Sequence, residues 1–424
     1  MPSSRPRLLR ALPAAVAIGL IALLTLEPRP RQAHLSASTP WHCLVCGGLG
    51  TVDVILNIGL FLPFGFALYR LGFGAARSAL MGLALSSAVE LLQATVVAGR
   101  DPSLSDLLTN TTGSLLGALL AHAWPRLARP DPGLAGRLTL GGAILWLAML
   151  GFTGWAVQPD IPSEGLTLRQ TPIVPNLDRF PGSIRFLMLN GRIRGAGRLD
   201  EPLIPDSGEP VTLVAEGTLL SWPEVTAPIA DIVDDEWNTV AMLGQLGQKV
   251  TFSVRARAES VKLRTPSAKV YRALPSPSGQ PIGAGGRLDG NSLTAFATFD
   301  GTWHTAETRL TPGLGWMLIL PLGFYPFDYR PEITSAIWTA LPLLLLGYWT
   351  RKSATRPLVA TLVWAGLAGT GLLVIPPLTG AAGQGWETAT ACAIALLLGW
   401  FLAGYASAGR SATVPPSARS AASP

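Results

Sequence analysis

Six polar residues in otherwise apolar stretches fall into three pairs. Asp53 and Asn57 stand four apart, Glu90 and Gln93 three apart, Asp106 and Asn110 four apart. On a helix these spacings put each pair on one face. Arg100 and Asp101 lie between the second and third pairs. A carboxylate and an amide on each of three helices can hydrogen-bond a polar ligand or hold a cation. With Glu90 or Asp106 as general base, they can also move a proton. The competing reading is a closed network that fixes helix packing, with Arg100 neutralising one carboxylate. Three carboxylates against one Arg leave negative charge over, which calls for a proton or a bound cation.

The elements that carry these residues are long apolar runs. A span needs about 20 residues. Stretches of that order run approximately over 8–26, 52–70, 77–98, 106–124, 138–157, 333–350, 357–379 and 387–405. The first follows Arg5, Arg7 and Arg10 and ends Thr25-Leu26-Glu27-Pro28, which is no small-residue cleavage site, so it reads as retained rather than as a signal peptide. With the N-terminus in the cytoplasm, the inside segments hold 13 Lys and Arg and the short outside segments four. That asymmetry fits an even number of spans with both ends inside. In this topology the second and fourth spans begin outside, and Glu90 lies roughly 12 Å below the outer end of the third. All three pairs then share one outer layer of the membrane, where polar groups are costly and mark function by default.

Composition agrees. Hydrophobic residues make up 49% of the 424 and charged residues 14%, against roughly 25% charged in a soluble domain. Mean hydropathy is +0.38. An all-soluble or disordered chain is excluded. The net charge of +6 fits topology-setting Arg, and no basic run interleaved with aromatics points to nucleic acid.

Residues 158–312 break the pattern of spans. Val211–Ala215, Lys249–Arg255 and Leu293–Phe299 alternate apolar and polar residues, which predicts half-buried strands. The fold class expected is therefore an α-helical polytopic membrane protein of about eight spans with an inserted all-β sandwich or jelly roll outside the membrane. The domains expected are 1–157 (five spans), 158–312 (the β domain), 313–331 (an interfacial or re-entrant segment bearing Trp316, Phe324, Tyr325, Phe327 and Tyr329), 332–405 (three spans) and 406–424 (a disordered tail). No inverted repeat is evident; Leu320-Pro321-Leu322-Gly323-Phe324 only faintly echoes Leu62 to Phe66.

Cys43-Leu44-Val45-Cys46 in the first outer loop is expected as a local disulfide, with free thiols and a zinc site near His34 and His42 as alternatives. Asp231, Asp234, Asp235 and Glu236 read as a solvated acidic turn, with calcium ligation as the alternative. Trp222, Trp237 and Trp303 read as core residues, with stacking on sugar rings as the alternative. No metal and no cofactor is expected; no Walker, GxSxG, HExxH or Rossmann motif occurs.

Asn57, Phe61-x-Pro63-x-Gly65, Glu90-x-x-Gln93, Arg100, Asp106 and Asn110-x-x-Gly113 occur in that order. In this respect residues 53–120 resemble the VanZ-like family of bacterial membrane proteins, named for an accessory protein of glycopeptide resistance. The insert more weakly resembles a concanavalin A-like, laminin-G-like jelly roll. The first resemblance implies an envelope role in the inner membrane, near peptidoglycan or its ligands, with no settled catalytic mechanism. The second implies glycan binding. The function expected is noncatalytic: binding of a cell-wall glycan or lipid-linked precursor on the outer face, with membrane lipids as the other partner and no nucleic acid, and an effect on glycopeptide-type antibiotic sensitivity. The alternative is a membrane enzyme on lipid-linked or headgroup substrates, and a transporter is the third reading.

Overall fold

A computed structural model describes residues 7–28, 45, 47–97, 103–175, 177–205, 208–274, 279–299, 301–320, 330–353 and 357–411. Helices occur in all eight apolar stretches: α1 (Arg7–Thr25), α2 (Gly50–Arg70), α3 (Ala75–Thr95), α4 (Leu104–Ala128), α5 (Pro132–Ala156), then, beyond a short α6 (Gly315–Ile319), α7 (Pro331–Ser353), α8 (Pro357–Thr379) and α9 (Trp386–Ser411). Six of them, α2, α3, α5, α7, α8 and α9, contain segments long and apolar enough to cross a membrane. The apolar part of α1, Arg10–Thr25, is shorter. In α4 the early Ser105, Asp106, Thr109 and Asn110 dilute the hydropathy. Many large apolar side chains on these helices are solvent-facing, such as Leu145 at 72% and Leu373 at 77%. Exposed apolar area on that scale is unfavourable in water and is satisfied by lipid.

The chain divides into two compact units: Met1–Ala128 with Pro159–Thr308 and Met317–Pro321, and Arg129–Gln158 with Arg309–Trp316 and Leu322–Pro424. In the first unit α1 packs on α2, and α4 packs on α2 and α3. Ala17 and Ile21 of α1 meet Phe61, Phe64 and Leu68 of α2 in one core. The α2–α4 approach is close enough that a Cβ on Gly65 would strike the Ser114 carbonyl, and one on Gly117 the Leu62 carbonyl. Glycine is what lets these backbones meet. Pro63 within α2 has no N–H to offer the Gly59 carbonyl one turn back.

The same unit holds the β domain, twelve strands in two antiparallel six-stranded sheets. One sheet runs β4 (Gly197–Arg198), β1 (Thr167–Gln170), β6 (Ala227–Val233), β7 (Thr239–Leu246), β8 (Lys249–Val254), β9 (Ser267–Val270). The other runs β12 (Thr302–Arg309), β11 (Ser292–Phe299), β10 (Pro281–Asp289), β5 (Val211–Leu219), β2 (Gly182–Leu189), β3 (Arg192–Arg194). Alternation sets the inner faces: Val250, Phe252 and Val254 of β8 are buried, as are Val211, Leu213 and Ala215 of β5. The sheets face each other, with the Phe252 ring filling the space where a Gly286 side chain would be. The rest of this core is small or aliphatic, including Ala241, Ala284, Ala295 and Ala297. It holds none of the three tryptophans expected there: Trp222, Trp237 and Trp303 are all exposed.

In the second unit α5 packs on α7 and α8, and α7 on α9. Asp131 caps α5 by accepting from the Leu134 N–H at 2.9 Å, and Pro132 opens its first turn. Trp146, Leu150, Leu343, Leu346 and Leu396 form the core, and Trp146 Nε1 donates to the Thr339 carbonyl at 2.9 Å. Trp316 of α6 meets Trp338 edge to face with centroids 5.1 Å apart. The four other aromatics of the expected interfacial segment, Phe324 to Tyr329, lie outside the described residues.

Candidate functional site

Three helices bring most of the polar pairs together. Asn57 Nδ2 donates to Asp106 Oδ1 at 2.8 Å, linking α2 to α4. Asn110 Nδ2 donates to Ser86 Oγ at 2.9 Å, linking α4 to α3, and Ser86 Oγ is 3.5 Å from the Asp106 carbonyl. Glu90 Oε2 accepts from the Ser103 N–H at 2.8 Å, just before α4 begins. Gln93 Nε2 donates to the Thr25 carbonyl at 2.9 Å, tying α3 to the end of α1. Glu90 and Gln93 are each 7% exposed and Asn110 is 3% exposed. Asp53 stands exposed in the first turn of α2, where a carboxylate faces the positive end of the helix. Arg100 and the Cys43–Cys46 pair lie outside the described residues.

Two partners here escape a reading of pairs alone. Ser86 stands one turn before Glu90 on the same helical face, a signal that was available. Ser103 contributes only its backbone. The Asn110 Oδ1 and Ser114 Oγ atoms are buried with no hydrogen bond among the described residues, at a cost of about 1–3 kcal/mol each. Gly113 meets the Ile58 backbone so closely that a Cβ would clash, which holds Asn110 within one turn of the α2 contact. Phe61 is fully buried beneath the layer.

Residues 14–125 match the VanZ/LLP1 family model. This VanZ-like domain spans most of α1 and runs through α2, α3 and nearly all of α4. The β domain and α5 to α9 lie beyond the match. No curated protein and no solved structure matches the chain.

The β domain carries features of its own. Asp231, fully buried on β6, is gripped by Arg169 of β1 through Nε at 2.8 Å and through NH2. Buried charge is tolerated only when paired in this way. Arg169 also sits over the Trp237 ring, 5.6 Å from its centroid. The acidic turn between β6 and β7 is organised by Asp234, which accepts from the Glu236 and Asn238 N–H groups and from Arg255 at 2.6 Å. Burial works to raise the Asp234 pKa, but hydrogen bonds from Arg255 and Asn238 outweigh it and hold the carboxyl below its ordinary value. Among the described residues no three His, Cys, Asp or Glu converge to hold a metal ion.

On the outer face of the β12–β3 sheet lies an open depression of about 780 Å³. Trp303, 63% exposed, stands over it, with the Phe296 ring 5.8 Å away and laid across Gly285. Its polar rim is Glu216, Arg287, Asp289 and Glu307. Arg287 pairs with Asp289 at 2.7 Å, and Ser292 Oγ donates to Glu307 at 2.6 Å. Of these residues, sequence reading picked out only Trp303. The rest come from four strands, and no local pattern brings them together.

Proposed function

We propose that this protein is a noncatalytic, multi-pass VanZ-like protein of the bacterial inner membrane. Both ends are cytoplasmic, the β domain lies outside and binds a cell-wall glycan, and the protein thereby modulates sensitivity to glycopeptide-type antibiotics. The observation that carries this reading is the depression beneath Trp303. An exposed indole offers its face to the C–H face of a sugar ring, and carboxylates around it accept hydroxyl donors. Apolar platforms with a few convergent polar groups are what small-ligand sites are made of. The layer of Asp53, Asn57, Glu90, Gln93, Asp106 and Asn110, with Arg100 expected beside it from the sequence, is the membrane-side part of the same reading, facing a lipid-linked precursor.

The test is binding of the purified full-length protein to isolated peptidoglycan. Trp303→Ala is expected to weaken binding by about tenfold or more, the loss typical of an aromatic anchor. Trp237→Ala, in the β6–β7 turn of the other sheet, is expected to leave it unchanged. Equal binding by wild type and Trp303→Ala would reject the reading.

A further inference from the structure

One constant shift in residue number lays α2, α3 and α4 on α7, α8 and α9 without a gap. Gly50–Arg70 falls on 332–352, Ala75–Thr95 on 357–377 and Leu104–Ala128 on 386–410. The closest contacts obey the same shift. A Cβ on Gly65 would strike the Ser114 carbonyl, and one on Gly347 the Leu396 carbonyl. A Cβ on Gly117 would strike the Leu62 carbonyl and approach the Phe66 nitrogen; one on Gly399 meets the Leu344 carbonyl and the Tyr348 nitrogen. All of these residues correspond under the shift. Leu115-Leu116-Gly117 with Leu120-Ala121 recurs as Leu397-Leu398-Gly399 with Leu402-Ala403. Core residues Phe61 and Phe64 correspond to Leu343 and Leu346, and α5 packs on α7 as α1 packs on α2. Chance similarity between apolar helices would not preserve spacing across three helices and the two turns between them.

The polar layer does not repeat. Asp53, Asn57, Asp106 and Asn110 correspond to Ser335, Thr339, Thr388 and Cys392, and Glu90 and Gln93 to Leu372 and Ile375. Ser335 and Thr388, standing where Asp53 and Asp106 stand in the VanZ-like domain, instead line a cavity of about 170 Å³ between the first turns of α7 and α9. That is room for about six waters at ~30 Å³ each. Thr311 lines it too, 3.3 Å from Ser335 between hydroxyls. The Thr388 hydroxyl, on a residue 4% exposed, makes no hydrogen bond among the described residues. Three charges line the same cavity, Arg309, Glu332 and Glu387, and their side chains form no ion pair or hydrogen bond among the described residues.

We propose that α5 and α7 to α9 are a second VanZ-like helical module, and that this cavity binds the headgroup of an amine-bearing phospholipid. A phosphoethanolamine group carries the two charges the site lacks partners for. Its phosphate suits Arg309 and two helix N-termini, its ammonium suits Glu332 and Glu387, and its ester and phosphate oxygens suit the Thr388 hydroxyl. The cavity lies at the ends of membrane-length helices, where headgroups are. Exposed Ile333, Ile337 and Trp386 beside it offer the apolar flank that acyl chains need.

The experiment uses the full-length protein in nanodiscs of equal phosphatidylethanolamine and phosphatidylglycerol, with retained lipid counted by native mass spectrometry. Wild type is expected to retain phosphatidylethanolamine in about fivefold or greater excess. The double variant Glu332→Gln, Glu387→Gln is expected to lose the preference and Arg309→Gln to lose retention of both lipids. Absence of preference in wild type, or its survival in the folded double variant, overturns the proposal. Should that variant fail to fold, Thr388→Val stands in, with at least a threefold loss of retained phosphatidylethanolamine expected and an unchanged amount overturning it. Soluble glycerophosphoethanolamine is expected to compete poorly; competition at parity with the lipid would overturn the membrane source.

Discussion

Glu90 decides how the VanZ-like layer is to be understood. It is buried on α3 and its one described hydrogen bond comes from a backbone N–H, so its charge state depends on what else reaches it. As part of a site, Glu90→Gln, Arg100→Ala and Asp106→Asn should each abolish the antibiotic-sensitivity phenotype at normal membrane abundance. As packing alone, each change lowers membrane abundance, and phenotype falls only in proportion to it. Both are measured in the same strains. Asp234 gives a second prediction, on pH. Its folded pKa lies below its unfolded one, so the unfolded state takes up the proton first as pH falls. The stability it contributes is present above the ordinary Asp value of about 4 and is lost below that, through the depressed folded pKa. Thermal unfolding of the β domain followed by near-UV circular dichroism should therefore weaken with acid more steeply in wild type than in Asp234→Asn. Identical slopes would count against the Arg255 and Asn238 contacts.

Helix packing is controlled by where a Cβ is tolerated. Gly65→Ala drives a methyl into the Ser114 backbone, which cannot swing aside as a side chain would, and should destabilise by about 1–3 kcal/mol. Gly59→Ala on the same helix meets nothing within 4 Å and should be neutral or slightly stabilising. Thermal unfolding in detergent compares the two; equal losses would contradict the α2–α4 contact. These elements were largely legible in the sequence. Apolar length placed every long helix, with the start of α5 and the end of α9 six residues off, and alternation found β5, β8 and β11. It could not find β6, whose seven residues are all buried, because a strand covered on both faces shows no period of two. The exposed tryptophans were misjudged for a related reason. The core is already filled by Phe252 and aliphatic side chains with small residues opposite them, and volume is settled across sheets rather than along one strand. The layer was legible as pairs on helix faces, but the Ser86 and Ser103 partnerships depend on how α3 meets α4.

Across the whole chain, the Lys and Arg asymmetry makes a prediction about sidedness. Ser163→Cys should label from outside intact cells and Ser411→Cys only after the membrane is opened. The reverse pattern would invert the assigned topology. The two four-helix sets, α1–α4 and α5 with α7–α9, also place the insertion. The β domain occupies the long connection between first and second helices, which in the VanZ-like domain is the stretch from Leu26 to Leu49. A connection already that long can take up a folded domain without disturbing either helix. The repeated glycine contacts carry one more consequence. The chain contains its own multiple-substitution control: α7 and α9 reproduce the close α2–α4 contact with every corresponding carboxylate and amide replaced by a hydroxyl or a thiol. That close contact is thus obtained without Asp53, Asn57, Asp106 or Asn110. Those four side chains are therefore not what the close approach of the two backbones requires.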